Sequence, residues 1–121
     1  MSELETNKLK LDIPSDQTLK YQMIEFHGEL DSYSLKLNRD KVLEIANTFE
    51  KEILVFNFSD LDFVNSESVS FIMQVHDLLE QKNKKLVILQ AKPNVKDILS
   101  VIGLFESVPY YPNLLDFLKT L

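Results

Sequence analysis

The sequence predicts an α/β domain: a mixed sheet of four to five strands packed with about four helices, in the order β-β-α-β-α-β-α-β-α. Three observations predict it. Apolar and polar residues alternate with period 2 where the pattern opens, at Leu9, Leu11 and Ile13. Two short runs, Ile53–Phe58 and Leu86–Leu89, are almost continuously apolar and rich in strand formers, the pattern of strands covered on both faces. Around these runs, apolar residues recur at helical spacing in three longer segments.

The elements follow in order. A first strand over Leu9–Ile13 is stopped by Pro14, and Pro14–Gln17 has the composition of a turn. A second strand over Lys20–Phe26 completes a hairpin, and Gly28 breaks the run. Asp31 or Ser32 supplies the short side-chain oxygen that caps a helix start. Leu35, Val42, Ile45, Ala46 and Phe49 then give an amphipathic helix over about 33–51. After the strand Ile53–Phe58, the segment Ser59–Asp62 reads as a polar turn. A helix over Ser66–Gln81 carries Val69, Ile72, Val75 and Leu79 on one face, and Lys82–Lys85 is a charged turn. Pro93 opens the next helix, whose apolar face is Val95, Ile98, Leu99 and Ile102. Gly103 stands where a left-handed cap is needed. A short strand near Val108–Tyr110 and a helix over Asn113–Lys119 complete the pattern, with the rings of Tyr110 and Tyr111 expected to divide, one to the core and one outward.

A chain of 121 residues supports one domain with its own core, placed at 9–121 behind a polar start at 1–8 that reads as disordered. Met1–Lys10 has no apolar stretch, so no signal peptide is expected, and no run approaches the ~20 residues of a membrane span. The absence of cysteine excludes disulfides, thiolate metal sites and cysteine nucleophiles, and fits a reducing, cytoplasmic setting. A net charge of -6 disfavours nucleic acid and anionic lipid as partners. With two glycines, the chain has no phosphate-cradling loop, and no cofactor is expected.

Other constellations read as structural. His27 and His76, the two histidines, are too scattered for a metal site and read as partly exposed structural residues. The carboxylate pairs Asp60/Asp62 and Glu29/Asp31 fall in turn-like or strand-end segments and read as solvated. No serine sits in a nucleophile pattern, and no enzymatic activity is expected. Lys82–Lys85 reads as a solvated loop. Sites in parallel α/β sheets cluster at the carboxyl ends of the strands, which points to the loop after Phe58 and the helix start at Asn65–Ser68.

Five marks in order carry a resemblance: Gly28–Asp31, the strand and loop Leu54–Val64, the turn Asn65–Ser68, the run Val95–Leu104 and Pro109–Leu114. Over roughly 10–121 the chain resembles the STAS domain, the fold of bacterial anti-sigma factor antagonists. The resemblance implies a STAS-like domain that regulates transcription by partner switching in the bacterial cytoplasm, as a monomer or weak dimer. Its partner would be an anti-sigma factor of the serine-kinase type. In that family the turn reads Asp-Ser-Ser-Gly or Asp-Ser-Thr-Gly, and the second hydroxyl residue is phosphorylated by the anti-sigma kinase. Here Asn65, Ser66, Glu67 and Ser68 occupy the turn, so a glutamate stands at the phospho-acceptor position and a serine replaces the glycine. A strand aspartate usual in the family is Asn57. The implied partner-binding surface is Asn65–Ser68 with Ser59, Asp60, Lys92, Pro93 and Asn94, and Ser66 and Ser68 are candidate phosphosites.

Independently of any relative, a helix N-terminus favours negative charge, and Glu67 there is ordinary helix-start chemistry. In the setting of the resemblance it also places a permanent charge at a binding edge. Two other readings stand beside the antagonist: a stand-alone protein-interaction module of another signalling pathway that is not phosphoregulated, and a small-ligand sensor using the same edge.

Overall fold

A computed structural model describes residues 7–15 and 20–121. Most of the start expected to be disordered lies outside these residues, as do Asp16 and Gln17 of the expected turn. The elements are β1 (Leu9–Asp12), β2 (Tyr21–Leu30), α1 (Ser32–Thr48), β3 (Ile53–Val64), α2 (Ser66–Gln81), β4 (Lys85–Leu89), α3 (Pro93–Ile102), β5 (Tyr110–Tyr111) and α4 (Leu114–Leu118). A single 3₁₀ turn, Leu104–Glu106, joins α3 to β5. The mixed five-stranded sheet and four helices match the expected class and order.

The strands lie in sequence order, β1-β2-β3-β4-β5, with β1 antiparallel to β2 and every other pair parallel. Sequential order has a consequence. Right-handed crossovers between adjacent parallel strands all place their helices on the same face of the sheet. The larger core follows from this: Phe26, Phe56, Phe58, Leu54 and Ile88 of the sheet pack with Val42 and Ala46 of α1, Ile72 and Leu79 of α2, and Val95 and Leu99 of α3. Phe26 anchors it, with ring centroids 4.9 Å from Phe56 and 5.1 Å from Phe58. The opposite face is left to α4, whose Phe117 packs with Tyr21, Val55, Val87 and Leu89.

Several expectations are corrected. β2 does not end before Gly28 but passes through it, with Gly28 at φ +109°. β3 does not turn at Ser59–Asp62; it continues to Val64. The two corrections share a cause. β2 has ten residues and β3 twelve, and the register slips between Glu25 and His27 and again between Gly28 and Glu29. Two extra residues in β3 are absorbed as bulges, so burial moves from every second residue (Leu54, Phe56, Phe58) to every third (Leu61, Val64). α1 stops at Thr48, where Phe49 turns to extended backbone and packs into the core. On α3, Ile102 is half exposed, and the buried face is Val95 and Leu99.

Lys84, expected in a solvated turn, is half-buried: its Nζ donates to Phe49 O at 2.5 Å and lies 4.1 Å from the centre of the Phe49 ring. Tyr110 packs on Phe105 and Tyr111 on Phe117, so the two rings divide between the faces of the sheet, and both are half-buried rather than one pointing outward. His76 is buried and pairs with Glu80 at 2.9 Å. No helix of the described residues is long and apolar enough to cross a membrane.

Candidate functional site

β2 and β3 end side by side, Leu30 opposite Val64, and each runs directly into a helix. The two helix starts use the same device. At α2, Asn65 Oδ1 accepts from Ser68 N–H at 2.9 Å and Ser68 Oγ accepts from Asn65 N–H at 2.9 Å. At α1, Asp31 and Ser34 form the same reciprocal box, at 2.9 Å and 3.0 Å. Each box satisfies orphan backbone donors that would otherwise face the core edge. Asn65 Nδ2 also donates to Ser32 Oγ at 3.3 Å, so the starts are tied together. The positive ends of two helix dipoles therefore meet at one edge of the sheet.

Capping decides which side chains of the turn are free. Ser68 is fully buried, and its hydroxyl donates to Asn65 O at 2.9 Å. Ser66 and Glu67 are exposed. Glu67 lies in the first turn of α2 and makes no hydrogen bond or ion pair with any described residue.

The α3 start reaches the same edge through β3. Lys92 Nζ donates to Asp62 Oδ1 at 2.5 Å and lies 3.9 Å from Asp60. Asn94 Nδ2 donates to Asp62 O at 2.8 Å. The hydrogen bond that Lys92 donates to Asp62, reinforced by the charges of Asp62 and Asp60, raises its ammonium above the usual lysine value. Pro93 is exposed at the first position of α3.

The structure thus joins Asn65 with Ser68, and Lys92 and Asn94 with the outer end of β3. Ser59 is separate, its N–H donating to Asn57 Oδ1 at 3.0 Å. Sequence reasoning missed Asp62 as the hub. The signal was present, since Asp60 and Asp62 have the two-residue spacing of one strand face. Expected as solvated turn carboxylates, both instead engage Lys92 from a strand. Asp60 has a further partner that was not anticipated: His27 Nδ1, at 2.8 Å. A groove of about 490 Å³ lined by Leu43 and Asn47 of α1 and Met73, Asp77 and Gln81 of α2 includes none of these edge residues.

Comparison with known proteins agrees with this architecture. The family profile described as the STAS domain matches residues 12–116. The chain is 25% identical over 113 residues, covering 93% of it and 97% of the relative, to an anti-sigma F factor antagonist of Paenibacillus polymyxa. Among solved structures, an anti-sigma factor antagonist from Mycobacterium paratuberculosis superposes with a TM-score of 0.77 at 18% identity, over 99% of this chain and 97% of that one. The Bacillus cell fate determinant SpoIIAA in its phosphorylated form superposes with a TM-score of 0.66 at 18% identity, over 92% and 98%.

Proposed function

The chain belongs to the STAS domain family, and from that membership we propose that it is an anti-sigma factor antagonist whose switch position carries a built-in charge at Glu67. The partner is an anti-sigma factor of the serine-kinase type, met in the bacterial cytoplasm. The docking surface is the edge at Asn65–Ser68, with Ser59–Asp60 and Lys92–Asn94 beside it. The P. polymyxa antagonist, which aligns over nearly its full length, supports this class of partner.

A single observation carries the role of Glu67. Its carboxylate is exposed at the first turn of α2 and engaged by no described residue, because Asn65 and Ser68 do the capping. A phosphate at that position would add roughly -1.5 to -2 charges to the edge, whereas a glutamate supplies about -1 at all times. The domain is thereby held near the state that phosphorylation produces in its relatives, and a kinase no longer controls that position. Of the two remaining hydroxyls, Ser66 is the accessible phosphosite. Modification of Ser68 would require opening the first turn of α2.

Titration calorimetry against the serine-kinase-type anti-sigma factor of the same host tests this. Glu67→Ser and Glu67→Ala are expected to bind at least tenfold more tightly than the wild type. Unchanged affinity in both variants refutes the charge-mimic role. Failure of all three proteins to bind refutes the antagonist reading and favours a module of another pathway.

A further inference from the structure

Because α4 covers only part of its face of the sheet, the remainder is polar. Alternation along β2 carries Glu25 and His27 onto this face after Tyr21 and Met23. Asp12 of β1 stands directly opposite Glu25, and Lys10 opposite His27. Two carboxylates directly opposite across an antiparallel pair repel each other unless a positive charge lies between them.

His27 is arranged to supply a lone pair to this pair. Its Nδ1 lies 2.8 Å from Asp60 Oδ2, and in the tautomer that donates Nδ1–H to this carboxylate, Nε2 carries the free lone pair. Nε2 is buried at the atomic level and has no hydrogen-bond partner. Asp12 Oδ2 is 3.1 Å away but off the direction a hydrogen bond requires. That offset is the geometry of two ligands that share an ion, because the ion itself lies on the nitrogen's lone-pair axis. One donor atom from each of Asp12, Glu25 and His27 lies within 4.8 Å of the others. At bond lengths near 2.1 Å, ligands of one ion stand no more than roughly 4.2 Å apart, so a small rotation of a half-buried carboxylate closes the set.

We propose that Asp12, Glu25 and His27 form a binding site for a divalent first-row transition cation, with zinc as its representative. One imidazole and two carboxylates suit zinc better than magnesium, which prefers oxygen ligands alone. Asp60 is a positioning residue that orients His27. Lys10, 3.8 Å from Asp12 and largely exposed, swings clear when the ion enters. The ion cancels the Asp12–Glu25 repulsion and pins the edge strand β1 to β2. Through Asp60, which is shared between His27 and Lys92, the site adjoins the start of α3.

Titration calorimetry of the full chain with zinc chloride, after EDTA treatment, tests the proposal. One equivalent is expected to bind, and zinc at 100 times its Kd is expected to raise Tm by roughly 10 °C. His27→Gln and Asp12→Asn should each weaken binding at least tenfold, and Asp60→Asn by about tenfold. His76→Gln should bind as the wild type does. Melting of each variant in EDTA confirms that lost binding is not lost folding. Absence of binding heat, undiminished binding by His27→Gln, or equal binding of magnesium each overturns the proposal.

Discussion

Replacing Gly28 with alanine should be among the most damaging single-methyl additions to this protein. Gly28 sits at φ +109° inside β2, and a Cβ there would lie 2.0 Å from the carbonyl oxygen of Lys8. An ordinary carbon–oxygen contact is about 3.3 Å, so the backbone entering β1 must retreat by roughly 1.3 Å. The 2.9 Å bond from Glu29 N–H to Lys8 O then stretches past hydrogen-bond range, a loss of about 1 kcal/mol. The positive φ costs a side chain a further 1–2 kcal/mol, approximately. Leu9, 5% exposed, is drawn partly out of the core, which adds about 1 kcal/mol. The expected destabilisation is therefore about 3–4 kcal/mol. Urea unfolding followed by circular dichroism measures the loss. Amide exchange at Leu9–Asp12 should show β1 unprotected well before β3. A loss below about 1 kcal/mol with β1 protection intact would refute the close-approach argument.

Two further outcomes follow from the edge. Ser68→Ala leaves the Asn65 N–H without its partner at the α2 start and should cost about 2 kcal/mol, whereas Ser66→Ala, exposed and outside the box, should stay within about 0.5 kcal/mol; equal urea midpoints for the two variants would dismiss the capping assignment. The Lys92 ammonium is raised above the usual 10.5 by the hydrogen bond it donates to Asp62, so its stabilising effect is complete below that value and is lost as pH climbs through the higher folded value. Stability measured from pH 9 to 12 should therefore fall more steeply in the wild type than in Lys92→Met, and parallel slopes would show that the pair contributes nothing.

Much of this molecule was legible in its sequence. The buried faces of α2 and of strands β3 and β4 read correctly because each is defined by neighbours one turn or two residues away. Pro93 and Gly103 marked the ends of α3 through the backbone angles they allow. The helix start at Asn65–Ser68 was found because capping chemistry is local. The misreading at Ser59–Asp62 has a specific origin. Three polar residues out of four after an apolar run have turn composition, yet here they continue a strand, because β2 supplies hydrogen-bonding partners along that length and bulges absorb the two surplus residues. With the strand mistaken for a turn, Asp60 and Asp62 could not be seen as facing Lys92.

The same division separates Ser66 from Ser68, and His27 from its carboxylate partners. Two serines in one turn look equally available until the first turn of α2 is built, when one hydroxyl is consumed by the backbone of Asn65 and the other is left in solvent. His27, Asp12 and Asp60 are scattered along the chain, and three strands had to be placed in register before a single imidazole touched carboxylates on both sides. Periodicity and caps are short-range properties, and local composition suffices for them. Register, bulges and the contacts between distant strands depend on how the whole sheet closes, and no window of neighbouring residues contains that information.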